Sequence, residues 1–323
     1  MSKIKFSLVL VSLVGLLAGC SNASSNPALQ AFDGLKPACE HYKGGKEIDT
    51  VQVTTKDKAA PEVTFVTTDK KKGTVSALAN IKTAQTRIIK EGSGPKFTGD
   101  ELVIVEYALY NSTNGQLQAA SNFDGTNSAA QVFDSKNTKL YCDAMSGVPE
   151  GSLFMFALPK DSQDQFGSLF VLELKKVYLP HANGDAKSPE SGFPQVVLDP
   201  KTGQPGLIKP TFGPPKESKH AVLIEGRGEE VKADSSITVH YTGWIWNDSL
   251  GSVFDSSWQQ GTPATFTVSQ LMPGMSKALV GAKVGSQIIA VMPPSDAYGA
   301  KGNASVPPNS TLLFVVDILG INK

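Results

Sequence analysis

The chain has 323 residues, 30 basic against 30 acidic side chains, and an apolar fraction of 40%. That length is enough for two ordinary domains. A formal charge of zero, with no basic block beyond Lys70-Lys71-Lys72, argues against nucleic acid as a partner. The four histidines, His41, His181, His220 and His240, show no metal-ligand spacing with one another or with the cysteines. No phosphate loop, nucleophile elbow or paired-carboxylate motif stands out, so no metal or cofactor is expected.

In chain order, Lys3 and Lys5 precede an apolar run over residues 6–18, which ends in Leu17-Ala18-Gly19-Cys20. A basic start, a short apolar centre and small residues before a cut describe a secretory signal peptide over residues 1–19. The run is too short to span a bilayer as a stable helix. A Cys directly after Leu-Ala-Gly resembles the lipobox of bacterial lipoproteins. That likeness implies lipidation of Cys20 and an extracytoplasmic protein anchored to the bacterial membrane, two acyl chains holding where one is marginal. An ordinary signal peptide with an incidental cysteine is the alternative. Residues 20–45 then read as the acylated Cys and a tether, small and polar over 21–36.

With Cys20 set aside, Cys39 and Cys142 form an even pair in an exported chain and are the disulfide candidate, two free buried thiols being the alternative. Their bridge would close a loop of roughly 100 residues, worth about 4 to 5 kcal/mol in the chain-entropy model.

The chain repeats itself. Glu91-Gly92-Ser93-Gly94 falls on Glu225-Gly226-Arg227-Gly228, Asp100 on Asp234, Val105 on Val239 and Tyr107 on Tyr241. In the same register Ala144 falls on Ala278, Gly147 on Gly281, Gly151-Ser152 on Gly285-Ser286, and Pro159 on Pro293. The matches concentrate at turn glycines and strand positions, where backbone conformation and packing restrict choice. The register then shifts, with Leu169-Phe170 pairing with Leu313-Phe314. The first copy therefore lacks what the second carries from Ala297-Tyr298-Gly299 to Val306-Pro307-Pro308. It also has Ala120-Ser121 at the place of Phe254-Asp255, with Phe123-Asp124 a few residues on.

Short apolar or alternating runs over 102–109, 152–158, 168–177, 236–241, 287–292 and 311–319, bounded by Gly, Pro, Asn or Asp, predict strands. One short helix is predicted over 273–280, ended by Gly281, with Met275 and Leu279 on one face. The fold class is α+β, each copy a half-open antiparallel sheet wrapped on one short helix. Residues 181–194 are rich in Ala, Asn, Gly, Asp, Ser and Pro and read as a linker. The domains are then 46–180 and 195–323. Residues 195–212 fall on 61–78, which predicts an extra N-terminal strand in each copy.

The second copy carries more specific motifs. Val239-His240-Tyr241-Thr242-Gly243, Val253-Phe254-Asp255-Ser256-Ser257, Ala278-Leu279-Val280-Gly281 and Val284-Gly285 come first. Ala297-Tyr298-Gly299, Val306-Pro307-Pro308 and Leu312-Leu313-Phe314-Val315-Val316-Asp317 follow. In order and spacing these resemble an FKBP-type peptidyl-prolyl isomerase domain, with the first copy a degenerate, non-catalytic version. The resemblance implies an apolar pocket that twists X-Pro bonds without metal, cofactor or covalent step. Carried over by position, it implies catalytic Asp255, Tyr298, Tyr241, Phe254 and Phe314, and substrate-binding Phe266, Leu271, Met272, Met275 and Val306. Rings of Tyr241, Phe254, Phe266 and Phe314 would wall the prolyl ring, and Asp255 would lie beside the twisting carbonyl. The Tyr298 phenol and the Met272 N–H would hold substrate carbonyls, and residues 297–308 would form a flap.

The chain departs from the family pattern at Met275, where the best-known members have Trp, at Ala264, often Phe, and at Asn303, often His. A flexible thioether predicts a looser pocket and lower activity on small peptides. Taken singly, the phenylalanines also read as plain core, Asp255 as an Asx-turn residue and Tyr298 as a turn residue. Trp244, Trp246 and Trp258 either rim the pocket or pin loops. The implied partners are proline-containing exported proteins or peptides, with macrolide inhibitors as ligands. The expected function is a membrane-anchored extracytoplasmic isomerase that assists folding of exported proteins. The rival is a non-enzymatic FKBP-like binding or chaperone lipoprotein.

Overall fold

The computed structural model describes residues 26–65, 77–160, 167–188, 190–246 and 252–322. The predicted signal peptide, Cys20 and the Lys70-Lys71-Lys72 turn lie outside the described residues.

The first unit opens with a hairpin of β1 (Val51–Lys56) and β2 (Ala59–Phe65). Its main sheet comprises β3 (Gln85–Lys90), β4 (Leu102–Asn111), β5 (Leu117–Ala120), β6 (Ala129–Val132), β7 (Leu153–Leu158) and β8 (Ser168–Val177). The strands run in the order β3-β7-β8-β4-β5, with β6 also paired to β4. A short stretch, β9 (Asp185–Ala186), precedes a second hairpin of β10 (Gln195–Leu198) and β11 (Pro205–Ile208). The second main sheet holds β12 (Lys219–Glu225), β13 (Ser236–Ile245), β14 (Val253–Ser256), β15 (Ala264–Thr267), β16 (Gln287–Met292) and β17 (Leu312–Asn322). Its order is β14-β13-β17-β16-β12, with β15 paired to β13 and β9 added at the edge beside β12. Strand for strand, this is the order of the first sheet. A register shift falls at Ile104/Val105 in one and at Thr238/Val239 in the other, so even the bulges correspond.

Helices are few: α1 (Pro27–Gln30), α2 (Lys139–Met145), α3 (Ser257–Gln260) and α4 (Pro273–Leu279). On the inner face of the second sheet, Ile237, Val239, Ile288, Ala290 and Val316 pack with Met275, Ala278 and Leu279 of α4. On the outer face, Trp244, Ile289, Val291, Leu313 and Val315 are covered by Phe193, Val196 and Leu207 around the β10–β11 hairpin. The first sheet does the same with Tyr110, Met155, Ala157, Leu169 and Val171 under Val51 and Phe65 of the β1–β2 hairpin. Central strands such as β16, Gln-Ile-Ile-Ala-Val-Met, are buried at every position. Two covered faces explain why they read as unbroken apolar runs instead of alternating ones. The extra strand predicted in each copy is a hairpin in each.

Two stretches differ from expectation. The tether is packed from Pro27 onward: Ala31 is buried, and Phe32 and Leu35 lie against the second unit's core. Asn183 Nδ2 donates to Ala31 O at 2.7 Å, and Ala38 N–H to Thr98 O at 2.7 Å. Three apolar side chains just after α1 supply the docking that a small, polar composition had hidden. The predicted linker is likewise held along the second sheet from its start. Ala182 N–H donates to Asp317 Oδ2 at 2.8 Å, and β9 pairs with Ile224 and Glu225. Just upstream, Tyr178 lies against Gly320 and its hydroxyl bonds Asn322.

Cys39 and Cys142 form a disulfide with Cα atoms 5.7 Å apart. It ties the packed N-terminal strap to α2. Gly99 makes room for it: a Cβ there would lie 3.0 Å from Cys39 Sγ, and its φ of +112° disfavours any other residue.

Candidate functional site

A cavity of about 150 Å³ opens on the inner face of the second sheet, beside α4. The two-residue period of β13 turns Ile237, Val239 and Tyr241 toward it and His240 away. Neighbouring β14 adds Phe254 and Asp255. A register shift opposite Val253 re-aims the strand so that two successive residues both reach the cavity. Leu271, Met272 and the nearly buried Met275 come from the start of α4, where Pro273 occupies the first helical turn without losing a needed donor.

The walls are aromatic. Phe254 meets Phe314 edge to face at 5.5 Å and 89°, and Tyr241 packs on Phe266 at 5.8 Å. Gly243 permits this: a Cβ there would stand 2.8 Å from both phenylalanine rings. One carboxylate enters this apolar wall. Tyr241 Oη donates to Asp255 Oδ2 at 2.6 Å, and Gln260 Nε2 donates to Oδ1 at 3.0 Å. Burial, followed by the hydrogen bond to Asp255 and then its charge, pushes the Tyr241 phenol well up, so it remains a donor at any ordinary pH. Tyr298 sits at the mouth, 38% exposed. Met272 O caps α4 by accepting from Met275 and Ser276 N–H.

Of the residues the sequence singled out, Tyr241, Phe254, Asp255, Phe266, Leu271, Met272, Met275, Tyr298 and Phe314 all line this cavity. Val306 does not. It is 1% exposed in the core, and its backbone pairs with Asn303: Asn303 N–H donates to Val306 O, and Val306 N–H to Asn303 Oδ1, both at 2.8 Å. It anchors the 297–308 segment from below because a small β-branched side chain fits the core there. Ile237, Val239, Leu279 and Val316 were missed as lining residues, although strand alternation carried the signal for the first two. Gln260 was missed with no sequence signal at all.

The tryptophans lie elsewhere. Trp244 is buried on the outer face, Trp246 packs on Phe212, and Trp258 stacks on His240 at 3.9 Å and 17°. Burial pushes His240 down to about 4, with His181 adding to the effect. Among the described residues no cluster of three or more His, Cys, Asp or Glu could hold a metal.

The matching place in the first unit is more aromatic. Tyr141 of α2 stands where α4 has Met275, and Phe156 of β7 stands where β16 has Ala290. Phe156 and Phe170 stack at 4.7 Å, and Tyr141 meets Phe170 edge-on at 5.5 Å. Register also corrects one alignment. Ala108 pairs with Ala120 as Thr242 pairs with Ser256, so Gln118-Ala119, not Ala120-Ser121, matches Phe254-Asp255. Residues 112–116 separate the paired strands in one unit and 246–252 in the other, and this difference in length displaces the sequence match.

A family profile described as FKBP-type peptidyl-prolyl cis-trans isomerase matches residues 228–319. The chain is 38% identical over 125 residues to a probable FKBP-type peptidyl-prolyl cis-trans isomerase of Haemophilus influenzae, covering 38% of this chain and 46% of that protein. Against the isomerase FkpA of Escherichia coli the figures are 36% over 121 residues, 38% and 40%. Against an FK506-binding protein of Neisseria meningitidis they are 40% over 102 residues, 31% and 91%. The crystal structure of Escherichia coli FkpA superimposes with a TM-score of 0.31 at 32% identity, over 41% of this chain and 53% of that one. The Neisseria protein is matched over nearly its whole length. The chain belongs to the family of FKBP-type peptidyl-prolyl cis-trans isomerases. It spans less than half the length of the Haemophilus and Escherichia relatives.

Proposed function

We propose that the chain is an exported peptidyl-prolyl cis-trans isomerase, anchored outside the cytoplasm by lipid on Cys20, that assists folding of exported proteins. In this reading it is built from two tandem FKBP-like units. The second is catalytic; the first is a degenerate partner in which Tyr141 and Phe156 stand in the places of Met275 and Ala290. The observation that carries the reading is Asp255, held by Tyr241 inside an aromatic cavity with Tyr298 at its mouth.

Rotation about an X-Pro bond must break amide resonance, a barrier of about 18 to 20 kcal/mol. Uncatalysed exchange takes on the order of tens to hundreds of seconds and limits folding. The planar amide is more dipolar than the twisted one, so an apolar wall of Phe254, Phe266 and Phe314 disfavours the ground state relative to the transition state. Asp255 offers a fixed negative charge beside the carbonyl carbon, and the Tyr298 phenol offers a donor to a substrate carbonyl at the mouth. No bond is made or broken. The substrates are proline-containing segments of exported proteins, and macrolides of the kind the family binds compete for the same cavity.

The test is isomerisation of a Leu-Pro peptide by the full chain beside Asp255→Ala and Tyr298→Phe. Exchange above background, reduced by either change, supports the isomerase. Background rates from folded protein favour the second reading, a binding module without turnover, to which the flexible Met275 side chain in the cavity lends weight. For the anchor, radiolabelled palmitate should enter the wild type and not Cys20→Ser. Equal labelling of both sinks the lipidation.

A further inference from the structure

α3 is a single turn, Ser257–Gln260, that starts two residues after Asp255. Its last residue turns back so that Gln260 Nε2 meets Asp255 Oδ1, while Tyr241 holds Oδ2. Both carboxylate oxygens are therefore fixed by neutral donors. Gln260 is itself exposed. A solvent-facing glutamine has many rotamers open to it, so a held amide requires a rigid base.

The turn has such a base on the opposite side of the sheet. Ser257 Oγ accepts the Tyr241 N–H at 2.8 Å and bonds His240 Nδ1 at 2.9 Å. Trp258 lies flat on the His240 ring at 3.9 Å. Its indole N–H is buried without a partner among the described residues, so stacking and not hydrogen bonding holds the ring. Gly261, at a φ of 74°, closes the turn with its N–H on Trp258 O.

The first unit supplies an internal control. Ser121 Oγ accepts the Tyr107 N–H at 2.9 Å, as Ser257 does for Tyr241. Beyond that serine no helix forms. The N–H groups of Phe123 and Gly125 and the Ser128 hydroxyl bond Glu106, which stands in the place of His240. The serine clamp is common to both units; among the described residues the helical turn, its tryptophan stack and its glutamine occur only in the second.

We infer that α3 is a positioning element for the Asp255 carboxylate, with Gln260 as the positioning residue and the Trp258–His240 stack as its anchor. This rests on the isomerase reading for its effect on turnover, but not for its geometry. Two measurements on the full chain keep them apart.

The first is a kinetic cycle with a Leu-Pro peptide. Gln260→Ala and Trp258→Ala lower kcat about five-fold, the scale of one ordinary net hydrogen bond. KM stays near the wild-type value, and Trp258→Phe, which keeps a stacking ring, restores kcat. In an Asp255→Ala background the same changes add nothing, because their effect passes through that carboxylate. An equal loss in that background overturns the proposal, as does wild-type kcat in Gln260→Ala.

The second is the side-chain amide signal of Gln260 in proton–nitrogen correlation spectra. It should move on Asp255→Ala and on Trp258→Ala, and stay in place on Trp258→Phe. An amide indifferent to Asp255→Ala overturns the positioning role whether or not the chain turns over peptide. A coupled amide with no turnover upholds the positioning and sinks only the isomerase reading.

Discussion

Tyr141 and Met275 occupy the same place on equivalent helices of two sheets with one strand order, and they meet different neighbours. Tyr141 meets Phe156 and Phe170 edge-on at 5.9 and 5.5 Å, while Met275 borders a cavity of about 150 Å³. The ring that replaces the thioether is rigid, and Phe156 adds a second where β16 has only Ala290.

The aromatic cluster of Tyr141, Phe156 and Phe170 makes the first unit's core depend on these rings. Phe156 is fully buried. Phe156→Ala should cost about 3 to 5 kcal/mol of stability, read as a lower denaturant midpoint. Prolyl isomerisation by the second unit should be unchanged under native conditions. Parallel loss of activity in the folded variant would count against independent roles for the two units.

Gly243→Ala tests the aromatic wall without touching a polar group. The added Cβ would stand 2.8 Å from Phe254 and Phe314, so the edge-to-face pair must part. The expected cost is about 1 to 3 kcal/mol from overpacking. Isomerase activity should fall by more than the fraction unfolded accounts for. Full activity would show that the rings have room to yield.

Replacing Cys39 and Cys142 together by serine removes a link spanning 103 residues of sequence. We expect a loss of about 2 to 4 kcal/mol by denaturant unfolding. Wild type in excess dithiol should match the double variant; if instead it keeps its oxidised midpoint, the strap is held by its packing and not by the bridge.

Asp317 titrates against the usual direction. Burial pushes it up from 3.8 to about 6, despite the Ala182 N–H and the Gln287 amide it accepts. The folded state therefore holds a proton that the unfolded state has released, and this group's contribution to stability falls as pH rises from about 4 to about 6. Asp317→Asn should gain on the wild type across that window and keep a constant difference above it. Unfolding midpoints at half-unit pH steps would show this, and a difference that shrinks with rising pH would contradict it.

Much of the architecture was legible in the residues because it is encoded locally. The period of two along β13 placed Tyr241 on the cavity side and His240 behind it. The run of Gly92, Gly94, Gly147 and Gly151 on Gly226, Gly228, Gly281 and Gly285 exposed the repeat, since turn backbones restrict what can replace glycine. The missing segment after Pro159 marked the first unit as different.

What the tertiary structure decided is whatever depends on contacts distant in sequence. Whether residues 27–35 hang free or dock was settled by an apolar seam next to the second unit, which no local pattern reveals. The β5 register was set by hydrogen bonds to β4, so Ala119 and not Ser121 matches Asp255. Val306 went to the core and Gln260 came to the carboxylate. An exposed glutamine acquires a function only when a turn, a stacked indole and a neighbouring strand bring it there.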